Sequence, residues 1–421
     1  MRGETERKHA EAARMYRPSA FLEGGRRRLA AYARTAAARA KLPMDSGAIR
    51  LLEDPAVPVI EFAHNGQLPH LGVVRCALKA AELAESIGGV CLYPFGNHYT
   101  MAMWPGDLYL GIPFEGRPPE AMKRPLSVSV GKAQADIPFN HLRPPTGAVL
   151  GDLAARTAER VEANVRHERK QGQKVLDVER VLRRMGGSFA MLERAALETT
   201  TFGDWLLRVQ AELLAGNPLA GRLVLFPMGE VHLALSEELR GLARREPELL
   251  AVKAEVARAQ EAAGEKLFGT SAESSGWIAC PGCLRRSRAS RITAEGVEHA
   301  CPACGRKSQA SWTEVGIRFA PDIVLLELLL LQAGVRGWVL GSEASYVAVV
   351  AEAHQRLLGG PMPPTFPLRS VPTFRGIGDP PEGYGKTRLL RALFEMEPGP
   401  LFEALLAPWE ESPAIRSPHL G

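Results

Sequence analysis

The sequence predicts an α/β protein: a parallel sheet covered by helices, with helical insertions and a small metal-binding unit. Three observations predict it. Apolar strand-like runs alternate with helical patterns in both halves of the chain, which is the order typical of a parallel sheet. Glycine-bearing turns follow two of these runs and open helices. A spaced set of four cysteines interrupts the pattern.

The composition is that of a globular protein with a large core. The chain has 421 residues, of which 46% are hydrophobic and 24% charged, so it is long enough for two or three units. The first 41 residues hold 11 Lys/Arg against 4 Asp/Glu, a surplus larger than the net charge of +5. The rest of the chain is therefore close to neutral, which argues against a nucleic-acid surface spread over the folded body.

Residues 1–41 form a basic, alanine-rich helical leader. Its four glutamates and its lack of an apolar signal core argue against a targeting peptide and favour a solvated amphipathic helix. The most apolar stretch, "IVLLELLLLQAGV", is too short to cross a membrane and contains Glu327, so we expect a buried core helix. Nothing marks export, and we expect a cytoplasmic protein without a membrane partner.

The first part of the sheet core is predicted within residues 42–150. Val57–Phe62 is a strand pattern, Gly72–Ile87 has apolar residues at helical spacing, and "GVCLYPF" is a second strand. The turns Asn65–Gly72 and Gly96–Thr100 would then lie at the carboxyl ends of parallel strands. Open α/β sheets bind ligands at that edge.

The middle of the chain is predicted to be mostly helical. Residues 151–220 form a charged helical insertion, and residues 221–275 supply a core strand and a long helix. The strand is "GRLVLFP" and the helix is Ser236–Leu267.

Four cysteines carry the most specific motif. "CPGC" and "CPACG" place Cys280, Cys283, Cys301 and Cys304 on two tight turns separated by 17 residues, which is zinc-ribbon spacing. We expect a structural zinc in a unit of residues 276–313, because four thiolates leave no open position for catalysis. His299 is interpreted as a bystander.

The remaining two cysteines and the C-terminal part complete the prediction. Cys76 and Cys91 lie in apolar patterns as buried thiols. Residues 314–375 return to the core, with a helix at Pro321–Ala333, a strand at "GWVLG" and a helix at Glu343–Leu358, before a tail of residues 376–421. If both glycine turns lie in one sheet, they face one cleft.

Two blocks resemble the cysteine-adding enzymes of bacillithiol biosynthesis. "HNGQLPHLG…ALKAAELAE" and the block "RFAPDIVLLELLLLQAGVRGWVLGSEASYVAVVAEAHQRLLGGPMP" are similar to that family's motifs, in the same order. The resemblance implies a Rossmann-like core of the HIGH-type nucleotidylyltransferase kind, with helical insertions. It implies ligation of an amino acid to an amine of a small-molecule acceptor, with ATP as the expected cofactor. The sequence departs from the family at Leu68, at the "GNHY" loop and in its zinc ribbon.

Site residues follow from the turns and from the resemblance. Backbone N–H groups of the first turn would hold phosphate or carboxylate oxygens, histidines would donate to developing charge, and Glu343 would bind an amine. "EGYGKTRLL" would supply a phosphate-binding lysine. The candidate catalytic residues are His70, His98 and Glu343. The candidate substrate- and nucleotide-binding residues are Asn65, Gly66, Gln67, Gly72, Lys79, Gly341, Ser342, Tyr346, Arg369 and Lys386.

Two other functions stay open at this point. "PHLGVVR" can be interpreted as a degraded HIGH motif, which would make the chain a class I aminoacyl-tRNA-synthetase-like protein that contacts RNA through its basic leader. The third alternative is a non-catalytic zinc-ribbon interaction protein. Nucleic acid is the less favoured partner.

Overall fold

The computed structural model describes residues 3–18, 21–43, 46–62, 69, 71–101, 107–108, 126–127, 134–170, 178–264, 272–340, 346–368, 393, 398–407 and 409. Its helices are α1 (Glu4–Met15), α2 (Glu23–Arg39), α3 (Ser46–Glu53), α4 (Leu71–Ser86), α5 (Gly147–Lys170), α6 (Val178–Glu198), α7 (Phe202–Leu214), α8 (Val231–Ala234), α9 (Ser236–Ala243), α10 (Glu246–Ala262), α11 (Trp312–Val315), α12 (Ile323–Gln332), α13 (Val347–Leu357) and α14 (Pro398–Leu405). Its strands are β1 (Val59–Glu61), β2 (Val90–Phe95), β3 (Asp107–Leu108), β4 (Leu126–Ser127), β5 (Leu223–Pro227), β6 (Gly276–Ala279), β7 (Arg286–Arg288), β8 (Arg291–Ile292), β9 (Gly296–Ala300), β10 (Lys307–Ser311), β11 (Phe319–Pro321), β12 (Val335–Leu340) and β13 (Thr365–Pro367).

A five-stranded sheet in the order β13–β12–β1–β2–β5 forms the centre of the protein. All neighbouring strands in it are parallel. The first strand in sequence lies in the middle, the next two lie on one side, and the last two lie on the other. This order is that of a Rossmann-like core, with its reversal between β1 and β12. The predicted α/β class with a parallel sheet is confirmed.

Each face of the sheet packs against its own apolar cluster. Ile60 and Phe62 contribute to the cluster beneath α4 and α7, whereas Val59 contributes to the one beneath α2, α12 and α13. Every residue of β2 is buried, as expected for a strand covered on both faces. Helices on both sides therefore bury every residue of β1, β2 and β5.

Two predicted helices differ from the structure. The stretch predicted as Ser236–Leu267 is two helices, α9 and α10, because Pro247 favours the first turn of a new helix. The predicted leader is helical, but α2 is not a solvated helix. Leu29, Ala30 and Ala33 are buried on the core because small side chains let the helix pack closely.

The C-terminal part of the sheet also contains a strand that the proline-rich sequence concealed. β13 pairs in parallel with β12, so Thr365 lies beside Trp338. Proline is tolerated at such an edge strand, where one ladder position needs no donor. The sequence also predicts a helix around Thr387–Glu395, which lies almost wholly outside the described residues.

A separate β-rich unit follows α10, and we call residues 276–321 the cysteine-rich unit. Its sheets have the orders β10–β9–β8 and β11–β6–β7. The predicted boundary at residue 313 is too early, because β11 pairs with β6 and completes the second sheet. Within the described residues, no helix combines the length and apolar character needed to cross a membrane.

Candidate functional site

The four predicted cysteine ligands form one cluster. The Sγ atoms of Cys280, Cys283, Cys301 and Cys304 all lie within 4.8 Å of one another. The Cys280–Cys304 and Cys283–Cys301 sulfur pairs are 3.6 and 3.7 Å apart. Four thiolates bound to one zinc at about 2.3 Å would lie about 3.8 Å apart. The cluster therefore has the dimensions of a tetrahedral metal site and can hold an ion such as zinc.

Both cysteine pairs lie on equivalent turns. The backbone N–H groups of Leu284 and Gly305 donate to the carbonyl oxygens of Cys280 and Cys301, each at 2.9 Å. Leu284 and Gly305 both adopt positive φ, at 59° and 72°. Glycine adopts this conformation freely, whereas leucine bears a cost of about 1 kcal/mol. The first turn is therefore held by its surroundings rather than by local preference.

The environment of Cys280 favours metal binding. Burial raises the pKa of its thiol, but the backbone N–H groups of Gly282 and Cys283 and the neighbouring sulfurs lower it to about 7. The thiolate is the form that binds metals, so binding is favoured near neutral pH. His299 has its Nε2 atom 2.7 Å from the Ser287 hydroxyl oxygen, which gives that nitrogen a protein partner.

The cysteine-rich unit is docked against the core by backbone hydrogen bonds. The Arg286 N–H donates to the carbonyl oxygen of Asp136 at 2.8 Å. The Glu246 carboxylate of α10 accepts the N–H groups of Ile292 at 2.7 Å and Ser275 at 3.4 Å. These bonds cross between elements far apart in the sequence, so the unit is part of one folded body.

The strands that precede the two predicted glycine turns are neighbours in the sheet. β1 and β12 pair in parallel, with Glu61 opposite Trp338. The chain therefore leaves both strands at the same edge, after Phe62 and after Leu340, where the strand order reverses. Open α/β sheets bind ligands at such a point.

Nine of the predicted site residues belong to chain segments that follow β1 or β12. They lie outside the described residues: Asn65, Gly66, Gln67, His70, Gly341, Ser342, Glu343, Arg369 and Lys386. Their roles stay predictions.

His98 follows the end of β2 at this carboxyl edge. Only 5% of it is exposed, and its Nδ1 atom has no hydrogen-bond partner within the described residues. A Cβ atom on Gly229 would lie 2.6 Å from the His98 Cβ, so glycine is required for this close approach. Burial, followed by the positive charge of Arg286 and by His232, holds the pKa of His98 well below its usual range. The imidazole is therefore neutral at physiological pH.

Lys79 and Gly72 lie at different depths of α4. Gly72 is buried in the first turn, at the carboxyl edge. Lys79 lies about 10 Å further along the helix. Its Nζ atom is 3.0 Å from a Glu6 oxygen and 2.5 Å from a Glu82 oxygen, beside a shallow pocket that Trp409 also lines. These ion pairs account for its burial and give it a structural role away from the switch point.

Two buried carboxyl groups, Glu61 of β1 and Glu327 of α12, form a pair that the sequence did not predict. Glu61 and Glu327 are 1% and 2% exposed, and the Trp338 indole N–H donates to Glu61 at 3.1 Å. Burial raises the pKa of Glu61 to about 8, although hydrogen bonds from Glu327 and Trp338 lower it. Burial and then the charge of Glu61 raise the pKa of Glu327 well above its usual range. The pair therefore holds at least one proton at neutral pH.

Tyr346 lies near enough to this pair for its charges to act on the hydroxyl. It is half-buried at the start of α13. Burial, and then the charges of Glu327 and Glu61 and the neighbouring Tyr99, raise the pKa of its hydroxyl well above the usual range. The Tyr346 hydroxyl is therefore a hydrogen-bond donor next to a protonated acid pair.

The cysteine-rich unit adds cations and an aromatic ring to the same edge. The guanidinium carbons of Arg286 and Arg288 lie 3.7 and 3.6 Å from the Trp277 ring centroid. Arg286 also lies 5.6 Å from the ring of Tyr99, which follows β2. The sequence motif "CLRRSRASR" signalled the arginines, but nothing in the sequence placed them against the sheet.

A second buried polar network lies at the other end of the edge, where β2 and β5 stop. Arg39 of α2 binds both oxygens of Glu230 at 2.9 and 3.0 Å. It also lies 3.0 Å from an oxygen of Asp204. The Asn97 side chain donates to Glu230 at 2.6 Å and accepts the N–H of Gly229 at 3.0 Å. The network ties α2 and α7 to the strand ends.

Several leader arginines are committed to such internal contacts. Arg26 donates to the carbonyl oxygen of Leu52 at 2.6 Å, and Arg28 lies 2.6 Å from a Glu238 oxygen. Together with Arg39, they stabilise the fold rather than present a free basic strip.

No family model matches this sequence, and no curated protein is similar to it.

Proposed function

We propose that the protein is a carbon–nitrogen ligase that joins a cysteine-like amino acid to an amine of a small-molecule acceptor through an activated carboxylate. One observation carries the proposal. β1, which precedes the first block that resembles the cysteine-adding enzymes, pairs in parallel with β12, which lies within the second block, so the chain leaves both strands at one switch point. A HIGH-type variant of the Rossmann-like core is part of this proposal.

The described residues at this edge suit a reaction that develops negative charge. A free carboxylate does not react with an amine until it is activated, and the oxygens of the activated group then need donors. The amino ends of α4 and α13 lie at this edge and favour anions. Tyr346 and neutral His98 each offer one N–H or O–H group. Glu343 would bind the ammonium of the incoming substrate.

The charge at this edge also fits a nucleotide. ATP would supply the activation of the carboxylate, and Arg286 places positive charge beside Tyr99, which follows β2 at this edge. The protein residues would bind and orient the two substrates and keep water from the activated group.

The metal has a structural role in this proposal. Four sulfurs in one tetrahedral cluster leave no coordination position for a substrate, so zinc would staple the cysteine-rich unit as a zinc ribbon. We expect the protein to act in the cytoplasm, where thiols stay reduced and available to the metal.

A thermal-shift screen followed by a product assay tests the function. We expect ATP and cysteine each to raise the melting temperature, and cysteine-dependent product to form with an amino-sugar acceptor. Glu343→Gln should abolish product. Glu352→Gln, on the following helix and paired with Arg356 at 2.5 Å, is the matched control and should leave product formation unchanged.

Other outcomes would favour the alternatives. Salt-sensitive RNA binding without amino-acid-dependent product would favour a synthetase-like protein. No response to nucleotides or amino acids would favour an interaction protein.

A further inference from the structure

The cysteine-rich unit contacts the carboxyl edge of the sheet through residues 136–140, which we call the bridging segment. The Arg286 N–H donates to the Asp136 carbonyl oxygen at 2.8 Å, at one end of the segment. At the other end, the Asn140 side chain donates to the Ile317 carbonyl oxygen at 3.0 Å. Asn140 is only 4% exposed, so this bond is shielded from water. The unit therefore holds the bridging segment at both ends.

The bridging segment is bonded in turn to residues 97–100, which we call the His98 loop. The Phe139 N–H donates to the Tyr99 carbonyl oxygen at 2.9 Å. The N–H of the next residue donates to the Asn97 carbonyl oxygen at 3.0 Å. Because the His98 loop follows β2, these bonds connect the carboxyl edge to the cysteine-rich unit.

Two direct contacts reinforce this connection. The guanidinium carbon of Arg286 lies 3.7 Å from the centroid of the Trp277 ring and 5.6 Å from that of Tyr99. The Nε2 atom of His232, which follows β5, lies 3.0 Å from the Gly316 carbonyl oxygen. The unit thus contacts the chain after β2 and after β5, which end at the same edge of the sheet.

The first cysteine turn leads directly to the Arg286 contacts. Arg286 comes three residues after Cys283, and the Cys280 N–H donates to the Arg285 carbonyl oxygen at 3.0 Å. Leu284 within this turn holds a positive φ of 59°, which is unfavourable for leucine. Metal sites rarely stay formed without their metal, so its loss would release this turn.

The second cysteine turn leads to the contacts of Gly316 and Ile317. β10 begins three residues after Cys304 and runs into α11, which ends one residue before Gly316. The Trp312 indole of α11 donates to the Ala294 carbonyl oxygen, between β8 and β9, at 3.0 Å. A metal shared by both turns would therefore hold every part of the unit that contacts the edge.

We propose that metal binding by the cysteine-rich unit positions the His98 loop at the carboxyl edge of the sheet. The metal-loaded unit holds the bridging segment, and the bridging segment holds the loop. Arg286 and Asn140 are positioning residues in this arrangement. The inference goes beyond the ligase proposal, because it concerns the described contacts and applies to any ligand that the edge binds. Ligand binding at the edge would then depend on metal loading.

Hydrogen–deuterium exchange of the full-length protein, first loaded with zinc and then chelated, tests the inference. We expect chelation to speed amide exchange at least tenfold in the bridging segment, whose Phe139 and Asn140 amides bond the His98 loop. The amides of β2 should keep their slow exchange, because this buried strand pairs with β1 and β5. Faster exchange confined to the cysteine-rich unit, or spread equally through the sheet, would overturn the proposal.

The imidazole signals of the histidines provide a second measurement in the same two samples. Nuclear magnetic resonance should show the His98 signals shifted by chelation, because its loop moves. His354, buried on α13 at the other side of the core, should keep its signals. Unchanged His98 signals in the chelated protein would contradict the positioning of the loop.

Asn140→Leu separates the contact from the metal. Leucine has a similar size but cannot donate to the Ile317 carbonyl oxygen, so exchange in the bridging segment should rise severalfold while the zinc content stays unchanged. Gln309→Leu is the matched control, because it makes the same change of an amide at an exposed position of β10. It should exchange as the wild type does.

Wild-type exchange in Asn140→Leu would show that this contact does not hold the bridging segment. None of these measurements depends on whether cysteine-dependent product forms. The positioning of the loop and the ligase proposal therefore fail separately.

Discussion

Two buried polar clusters lie at opposite ends of the same sheet edge, and they are balanced differently. At the end of β2 and β5, Arg39 lies between Glu230 and Asp204, so two carboxylates share one guanidinium, and the Asn97 amide donates to Glu230. Behind β1 and β12, Glu61 and Glu327 face each other, and the forces on them come from burial, each other and the Trp338 indole. In the first cluster, a cation balances the two carboxylates. In the second cluster, a proton keeps at least one of the two carboxyl groups neutral.

The difference separates a structural site from a candidate functional one. A paired network with bidentate geometry is difficult to disrupt and fixes the positions of strand ends. A carboxyl pair that must stay protonated reduces stability and concentrates at sites where proton position matters. The unbalanced cluster, Glu61 with Glu327, lies beneath the switch point, where the ligand is expected. The balanced cluster, Arg39 with Glu230 and Asp204, lies to its side.

The largest effect is expected from Arg39→Met, which breaks the balanced cluster. Glu230 and Asp204 have side chains only 2% and 4% exposed and would be left without their cation. We expect the free energy of unfolding to fall by about 3 kcal/mol in urea denaturation at pH 7. Arg34→Met is the control, because its ion pair with Glu53 is exposed, and should cost less than about 1 kcal/mol. Equal losses would mean that the buried network is not the stabilising one.

The next effect is the pH dependence caused by the unbalanced cluster. The folded-state pKa of Glu61, about 8, lies above its ordinary value, so folding favours the protonated acid. Its stabilising contribution is therefore complete below about pH 4.5 and is lost as the pH rises toward 8. Over that interval, each such carboxyl lowers the free energy of unfolding by up to about 1.4 kcal/mol per pH unit.

Glu327→Gln tests whether Glu61 and Glu327 share protons. The amide still donates to Glu61 but no longer titrates, so the stability of the variant should fall less steeply between pH 5 and 8. Urea denaturation at several pH values measures the slope. Glu352→Gln, an exposed acid on α13, should retain the wild-type slope. A wild-type slope in Glu327→Gln would show that the pair does not share protons.

The smallest effect is expected from removing single hydroxyl groups. The Tyr32 hydroxyl donates to Glu230 in the balanced cluster, so Tyr32→Phe should cost about 1 kcal/mol. Tyr346 is half-buried, and within the described residues no carboxylate accepts a hydrogen bond from its hydroxyl. Tyr346→Phe should therefore change stability less while still weakening ligand binding. Thermal unfolding of both variants tests the contrast.

The features that the sequence predicted correctly depend on residues that are close together along the chain. The cysteine turns, the parallel sheet and the apolar helix with Glu327 all follow from local spacing and periodicity. The Glu61–Glu327 pair and the stacking of Arg286 on Tyr99 arise from segments that meet only in the folded chain. β13 was missed because proline obscures the strand pattern, and the burial of α2 was missed because its arginines suggested exposure.

The pairing of β11 with β6 makes the cysteine-rich unit difficult to excise. β11 leads directly into Asp322, which caps α12 by accepting the Leu325 N–H at 3.1 Å. Deleting residues 276–313 would strip β11 of its partner and loosen the start of the helix that carries Glu327. A chimera in which this unit is exchanged would therefore have to include the residues through Asp322, so that β11 keeps its partner β6.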